Sequence, residues 1–230
     1  MIKLNITNLL KKSWNDFKEY YLKYMIFNII WFFVITFLYF ISLRSIYGGN
    51  YFILIIPILL GGPLILSGLE LVNNGNFQIK QVLKNLKEKL YTSIIIFVFS
   101  AVVYGVLIYD FFFALNKVGN NNLYLVFPVI ILYLIIMFNM YQISLWGLIF
   151  EKYNLKFFKY LKKAYQNTID NFLFALIWSL IIFIFIIILV FTRIGAFLFL
   201  NSFVSILILN GKDQMLLENE SNRESAENEQ

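Results

Sequence analysis

Residues 157–191 read FFKYLKKAYQNTIDN and then FLFALIWSLIIFIFIIILVF: a basic amphipathic stretch running straight into twenty residues without a charge. A hydrocarbon core is crossed by a helix of about 20 apolar residues. Backbone groups in lipid must be satisfied within the segment, so a run of this kind is a helix even though its Ile and Phe content would suggest a strand in water. The same arrangement occurs twice upstream. Leu10-Lys11-Lys12, Leu83-Lys84-Asn85 and Leu161-Lys162-Lys163 each open a basic stretch that leads into apolar sequence. The pattern predicts an all-α polytopic membrane protein of six transmembrane helices, in three units that each join an amphipathic helix to a hairpin.

The predicted spans are 24–43, 51–69, 91–108 (extending toward 115), one within 123–150, 172–191 and 194–209. The sixth is the weakest, at 16 residues, and Arg193 leaves almost no loop before it, which predicts a tight hairpin or else one long broken helix. Composition agrees with this class. The 230 residues are 60% hydrophobic and 14% charged, more apolar surface than a soluble fold of this length could bury. The first span follows five lysines and has no small-residue cleavage pattern, so it reads as retained and not as a signal peptide.

The net charge of +6 is unevenly distributed. Six spans put 16 Lys and Arg residues on the side of the N-terminus and 3 (Arg44, Lys117, Arg193) on the other. This asymmetry predicts a cytoplasmic membrane location with both termini in the cytoplasm, and it favours anionic lipid headgroups over nucleic acid as the partner of the basic loops. Three apolar stripes at helical spacing support interfacial helices: Ile6, Leu10, Trp14, Phe17 and Tyr21; Ile79, Val82, Leu83, Leu86 and Leu90; Phe157, Phe158, Leu161, Tyr165 and Ile169. These helices serve either as lipid or partner surfaces or as collars setting the entry angle of each hairpin. Residues 212–230 form an acidic cytoplasmic tail, and from Glu218 onward it has no large apolar residue, so it is predicted to be disordered, leaving 1–211 as the membrane domain.

The chain has no Cys and no His, which excludes disulfides, thiol nucleophiles, imidazole bases and the usual zinc sites. There is no phosphate-binding Gly loop, no close acid pair and no nucleophile–base arrangement, so neither an enzyme nor a cofactor is predicted. Two features remain as candidate structural or pathway elements. Pro57 and Pro63, with Gly61 and Gly62, should kink or unwind the second span, either to build a midplane transport site or to let a neighbouring helix approach closely. Asp110 is the only acid on the sparsely charged side and is expected to pair with Arg44 or Arg193. Glu70, at the other end of the second span, reads as solvated. Asn28, Tyr104, Asn139, Tyr141, Gln142 and Ser144 read as interhelical hydrogen-bonding positions.

The segment Ile56-Pro57-Ile58-Leu59-Leu60-Gly61-Gly62-Pro63, followed by a basic stretch and a third span, resembles the YesL-like family of bacterial membrane proteins. The spacing of Pro57, Gly62 and Pro63 and the basic helix 157–171 carry the resemblance, which covers roughly residues 20–210. The chain departs from the family's aromatic-Pro-Leu element in the fourth span, where Gln142, Ile143 and Ser144 follow Tyr141. The resemblance implies a six-span fold and a role beside a carbohydrate transporter or other membrane protein. The competing expectation is a small permease with its pathway along the second span.

Overall fold

The computed structural model describes residues 6–49, 53, 55–73, 79–118, 125–150, 157–192 and 194–228. Among these the structure is helical, with no strand. The helices are α1 (Ile6–Glu19), α2 (Tyr21–Tyr47), α3 (Ile55–Asn73), α4 (Ile79–Val118), α5 (Val126–Gly147, extended by a 3₁₀ turn at Leu148–Phe150), α6 (Phe157–Asp170), α7 (Phe172–Phe191) and α8 (Ile194–Asn228). Five of them are long and apolar enough to cross a membrane among the described residues: α2, α3, the Lys84–Lys117 part of α4, α5 with its 3₁₀ turn, and α7. The chain is therefore a multi-pass membrane protein by length and composition.

The basic amphipathic stretches take two forms. α1 and α6 are separate helices, ending at Tyr20 and Asn171, whose backbones leave the helical region (φ −123°, ψ 21° and φ −115°, ψ 35°). The middle amphipathic stretch has no such break. It runs uninterrupted into the third span, giving the 40-residue α4, about 60 Å long. Nothing in Lys89-Leu90-Tyr91 competes with the helical backbone, and extending a helix is easier than restarting one. At the end of α2 the chain turns at Gly48-Gly49, with Gly49 in the left-handed region (φ 68°).

α3 and α4 run antiparallel (Gly61 against Phe97, Glu70 against Lys89), as do α4 and α5 (Ser100 with Gln142, Tyr104 with Asn139) and α7 and α8 (Phe185 against Phe203, Trp178 with Leu207). Trp31 on α2 donates to the Leu64 carbonyl on α3 (3.3 Å), Tyr104 on α4 donates to Asn139 on α5 (2.5 Å), and Trp178 on α7 donates to the Leu207 carbonyl on α8 (2.8 Å). α7 and α8 thus form the tight hairpin, and the single broken helix is ruled out. α8 packs against α1, α2, α3, α5, α6 and α7 and is the central element of the bundle. It also runs past residue 211 to Asn228, with Met215 fully buried. The helix covers the tail as far as Asn228: once nucleated in the bundle, a helix propagates cheaply through Glu, Arg and Ala.

The core forms two clusters. One joins α1, α2, α5, α7 and α8 around Trp178, Ile206 and Met215; the other joins α3, α4, α5, α6 and α8 around Leu66, Leu69, Ile96 and Leu145. Both lie toward the lysine-bearing end. Toward the opposite end, large apolar side chains such as Phe37, Phe40, Phe113, Phe127 and Phe191 face outward.

Candidate functional site

Proline and glycine in α3 do not break it. The helix is continuous from Ile55 to Asn73. Pro57 falls in its first turn, where a backbone donor is not required, and Pro63 lies inside the helix. A ring and the backbone of α4 occupy the space the glycines leave. A Cβ at Gly61 would collide with the Phe97 ring, and one at Gly62 with the Ser93 carbonyl. The second span is thus a continuous helix and not an unwound one, and of the two readings of its glycines the close approach of a neighbouring helix is the arrangement seen with α4.

Asp110 and Arg44 are both exposed and make no ion pair with each other. That half of the expected pairing is corrected: each side chain reaches the surface of the bundle, where water or headgroups can satisfy it. Arg193 lies outside the described residues.

Charge is buried at the other end. Glu70, near the end of α3, has no exposed surface. It pairs with Lys89 of α4 (2.6 Å) and accepts from Asn85 (3.0 Å). The Lys89 ammonium also sits 4.1 Å above the Phe150 ring. The expectation of a solvated Glu70 is therefore overturned. α4 passes over the end of α3 as one continuous helix and closes water away from the carboxylate.

The intramembrane polar residues join helices. Asn28 donates to Ser202 Oγ (2.6 Å) and accepts from the Asn201 backbone N–H (2.9 Å), fastening α2 to α8. Ser100 bonds Gln142 (3.1 Å), fastening α4 to α5. Asn210 of α8 donates to Ser13 and Asp16 of α1, both at 3.0 Å. Ser144 of α5 receives Asn167 (3.2 Å) and Thr168 (3.0 Å) from α6, and Tyr160 of α6 donates to the Leu145 carbonyl. The α8 members, Asn201, Ser202 and Asn210, and the buried Ser205 beside them were not singled out from sequence. Their signal was available as polar residues recurring at helical spacing inside the weakest of the predicted apolar runs. Among the described residues, no three acidic side chains come close enough to hold a metal.

The amphipathic helices use their faces unexpectedly. In α1 the buried residues are Leu9, Ser13 and Phe17, and Trp14 and Tyr21, the residue after its break, are half-exposed. In α6 the buried residues are Tyr160, Ala164, Asn167 and Thr168, while Phe158 (81% exposed), Tyr165 and Ile169 from the predicted stripe face outward. That outward face borders an open groove of about 590 Å³ between α4, α5 and α6, lined by Phe99, Val103, Met137, Phe138, Tyr141 and Lys162 among others.

Comparison of the chain with protein-family models, with curated proteins and with solved structures returns no match.

Proposed function

We propose that this chain is a six-span protein of a bacterial cytoplasmic membrane, with both termini in the cytoplasm. In this reading it acts without catalysis as an accessory to carbohydrate uptake, beside a transporter. The 16-to-3 distribution of Lys and Arg supports the orientation. The traverse of α8, from the far end at Ile194 to its bonds with α1 at Asn210, supports a sixth span. The YesL-like pattern around Pro57, Gly62 and Pro63 supports the transporter association.

The observation that carries the accessory reading over the permease is where the intramembrane polar groups point. Asn28, Ser100, Tyr104, Asn139 and Ser202, with the carbonyl oxygen of Gln142, bond helix to helix instead of converging on a cavity; among the described residues only the amide nitrogens of Gln142 on α5 and Asn201 on α8 are buried without a partner, and α4 closely covers Gly61 and Gly62 on α3. A pathway for a hydrophilic solute needs polar groups that such bonds leave unspent.

Purification in mild detergent from the native membrane tests the reading. A transporter recovered in stoichiometric amount is the expected outcome. Sugar uptake by the purified protein alone in vesicles would replace the accessory reading with the permease. Reporter fusions after Lys117 should report the outer side, and fusions after Lys163 and Gln230 the cytoplasm. An outer-side signal at Gln230 would remove the sixth span.

A further inference from the structure

The groove between α4, α5 and α6 has an unusual combination of walls and rim. Its walls are carbon: Phe99 and Val103 from α4, Met137 and Phe138 from α5. Of the three hydroxyls that line it, Tyr165 belongs to the exposed face of α6 and the other two are already engaged. Tyr141 donates to the Leu161 carbonyl (3.1 Å), and Thr168 bonds the Ala164 carbonyl (2.9 Å) and Ser144 (3.0 Å). Between α4 and α5 a hydrophilic solute would find nothing to bond, while a hydrocarbon chain would lose nothing on entering.

The rim is different. Lys162 lines the groove from α6, is exposed, and has no acid partner among the described residues. On α6 it shares one face with Phe158, Tyr165 and Ile169, since positions 158, 162, 165 and 169 repeat at helical spacing. That face presents apolar rings, a tyrosine and a cation together, the composition of a surface at the boundary between acyl chains and headgroups. The opposite face of α6 is fixed to α5 through Tyr160, Asn167 and Thr168, so the position of Lys162 relative to the groove is set by the fold.

We infer that this groove is a binding site for one phospholipid with an anionic headgroup: an acyl chain lies between α4 and α5, and the headgroup phosphate is held by Lys162. The charge chooses the occupant. A carbon-walled groove alone would accept any membrane lipid, and an unpaired ammonium at its rim favours a headgroup of net negative charge over a zwitterionic one. The site does not depend on the accessory reading above.

The full chain in mild detergent, offered phosphatidylglycerol and phosphatidylcholine with the same acyl chains, is examined by native mass spectrometry. The wild type should retain one phosphatidylglycerol in preference to phosphatidylcholine. Lys162→Gln should reduce that preference about fivefold, equivalent to about 1 kcal/mol for one lysine at an anionic surface. Lys162 is exposed, so this variant leaves the fold intact, and Lys117→Gln at the other end should change nothing. Val103→Phe, which fills the groove, should lower retention of both lipids. A photoactivatable phosphatidylglycerol should label α4, α5 and α6. Equal retention of the two lipids, a preference unaltered by Lys162→Gln, or labelling centred on α2 or α7 would each overturn the site.

Discussion

α7 and α8 form one hairpin and have opposite characters. α7 is the most apolar helix in the chain, yet Leu173, Phe183, Ile184, Ile188 and Phe191 face outward. α8 is interrupted by Asn201, Ser202, Ser205 and Asn210, yet it is the helix around which the others assemble. In water the more apolar helix would be the core. Here the surroundings are as apolar as leucine, and burying carbon against protein gains little over leaving it in lipid. Polar side chains are the ones that gain from the interior, because only there can they find partners. Apolarity in this chain therefore measures exposure to lipid. α6 repeats the lesson on one helix: its Tyr, Asn and Thr face docks on α5, and its Phe158 and Ile169 face turns outward.

If partners decide where polar groups are stable, removing a partner should do the most damage where burial is deepest. Lys89→Met removes the counter-charge of the fully buried Glu70 and should destabilise the protein by about 3 kcal/mol, read as thermal unfolding in detergent. Glu70→Gln should be milder, because Lys89 is 25% exposed and can turn toward water. The double variant should recover much of the loss. A greater effect from Glu70→Gln than from Lys89→Met would mean that desolvation of the carboxylate is not what holds this junction.

The reverse exchange tests α7. Ile184→Lys places a charge on its outward face, midway along the helix, at a position where no protein side chain can neutralise it. Helix-insertion scales put that at about 2.5–3.5 kcal/mol, so insertion of the hairpin should fall measurably in a membrane-insertion assay. Full insertion would show that this face of α7 is not against lipid.

On α8 the expected effect is smaller. Asn28→Ala removes the bond to Ser202 and the acceptor for the Asn201 N–H. Hydrogen bonds between membrane helices contribute roughly 0.6–2 kcal/mol. A double-mutant cycle with Ser202→Ala should give a coupling in that range. A coupling of zero would make the contact incidental and return α8 to ordinary packing.

This contrast also explains what could be read from the sequence. Long apolar runs identified α2, α3, α4, α5 and α7, because in lipid such runs have no alternative to helix. Asn28, Tyr104, Asn139, Gln142 and Ser144 were recognisable as interhelical bonds for the same reason: an isolated polar residue in a span must find a partner. The partner itself was not legible. Hydropathy ranked α8 last because it registers distance from lipid and carries no record of which helix lies beside which. Glu70 read as solvated because its position at a span end is compatible with water, and only the unbroken course of α4 over it removes that water. The groove beside Lys162 arises from three helices whose relative placement is absent from any local pattern.

Asp110 supplies the smallest expected effect and limits the comparison from the other side. On α4 the exposed rings of Tyr91 and Tyr109 lie eighteen residues apart, about 27 Å of helix. That is close to the thickness of a hydrocarbon core, and tyrosines favour its two boundaries. Asp110 follows Tyr109 and so stands at the far boundary, exposed, where headgroups and water can solvate it without a protein partner. It also makes no ion pair with Arg44. Asp110→Asn should then change stability by no more than about 0.5 kcal/mol, as surface substitutions usually do, and Arg44→Gln combined with it should add nothing further. A loss of stability as large as that of Lys89→Met would mean that Asp110 lies in the hydrocarbon against a partner. The charge at the far end would then be governed by the same pairing rule as the buried Glu70.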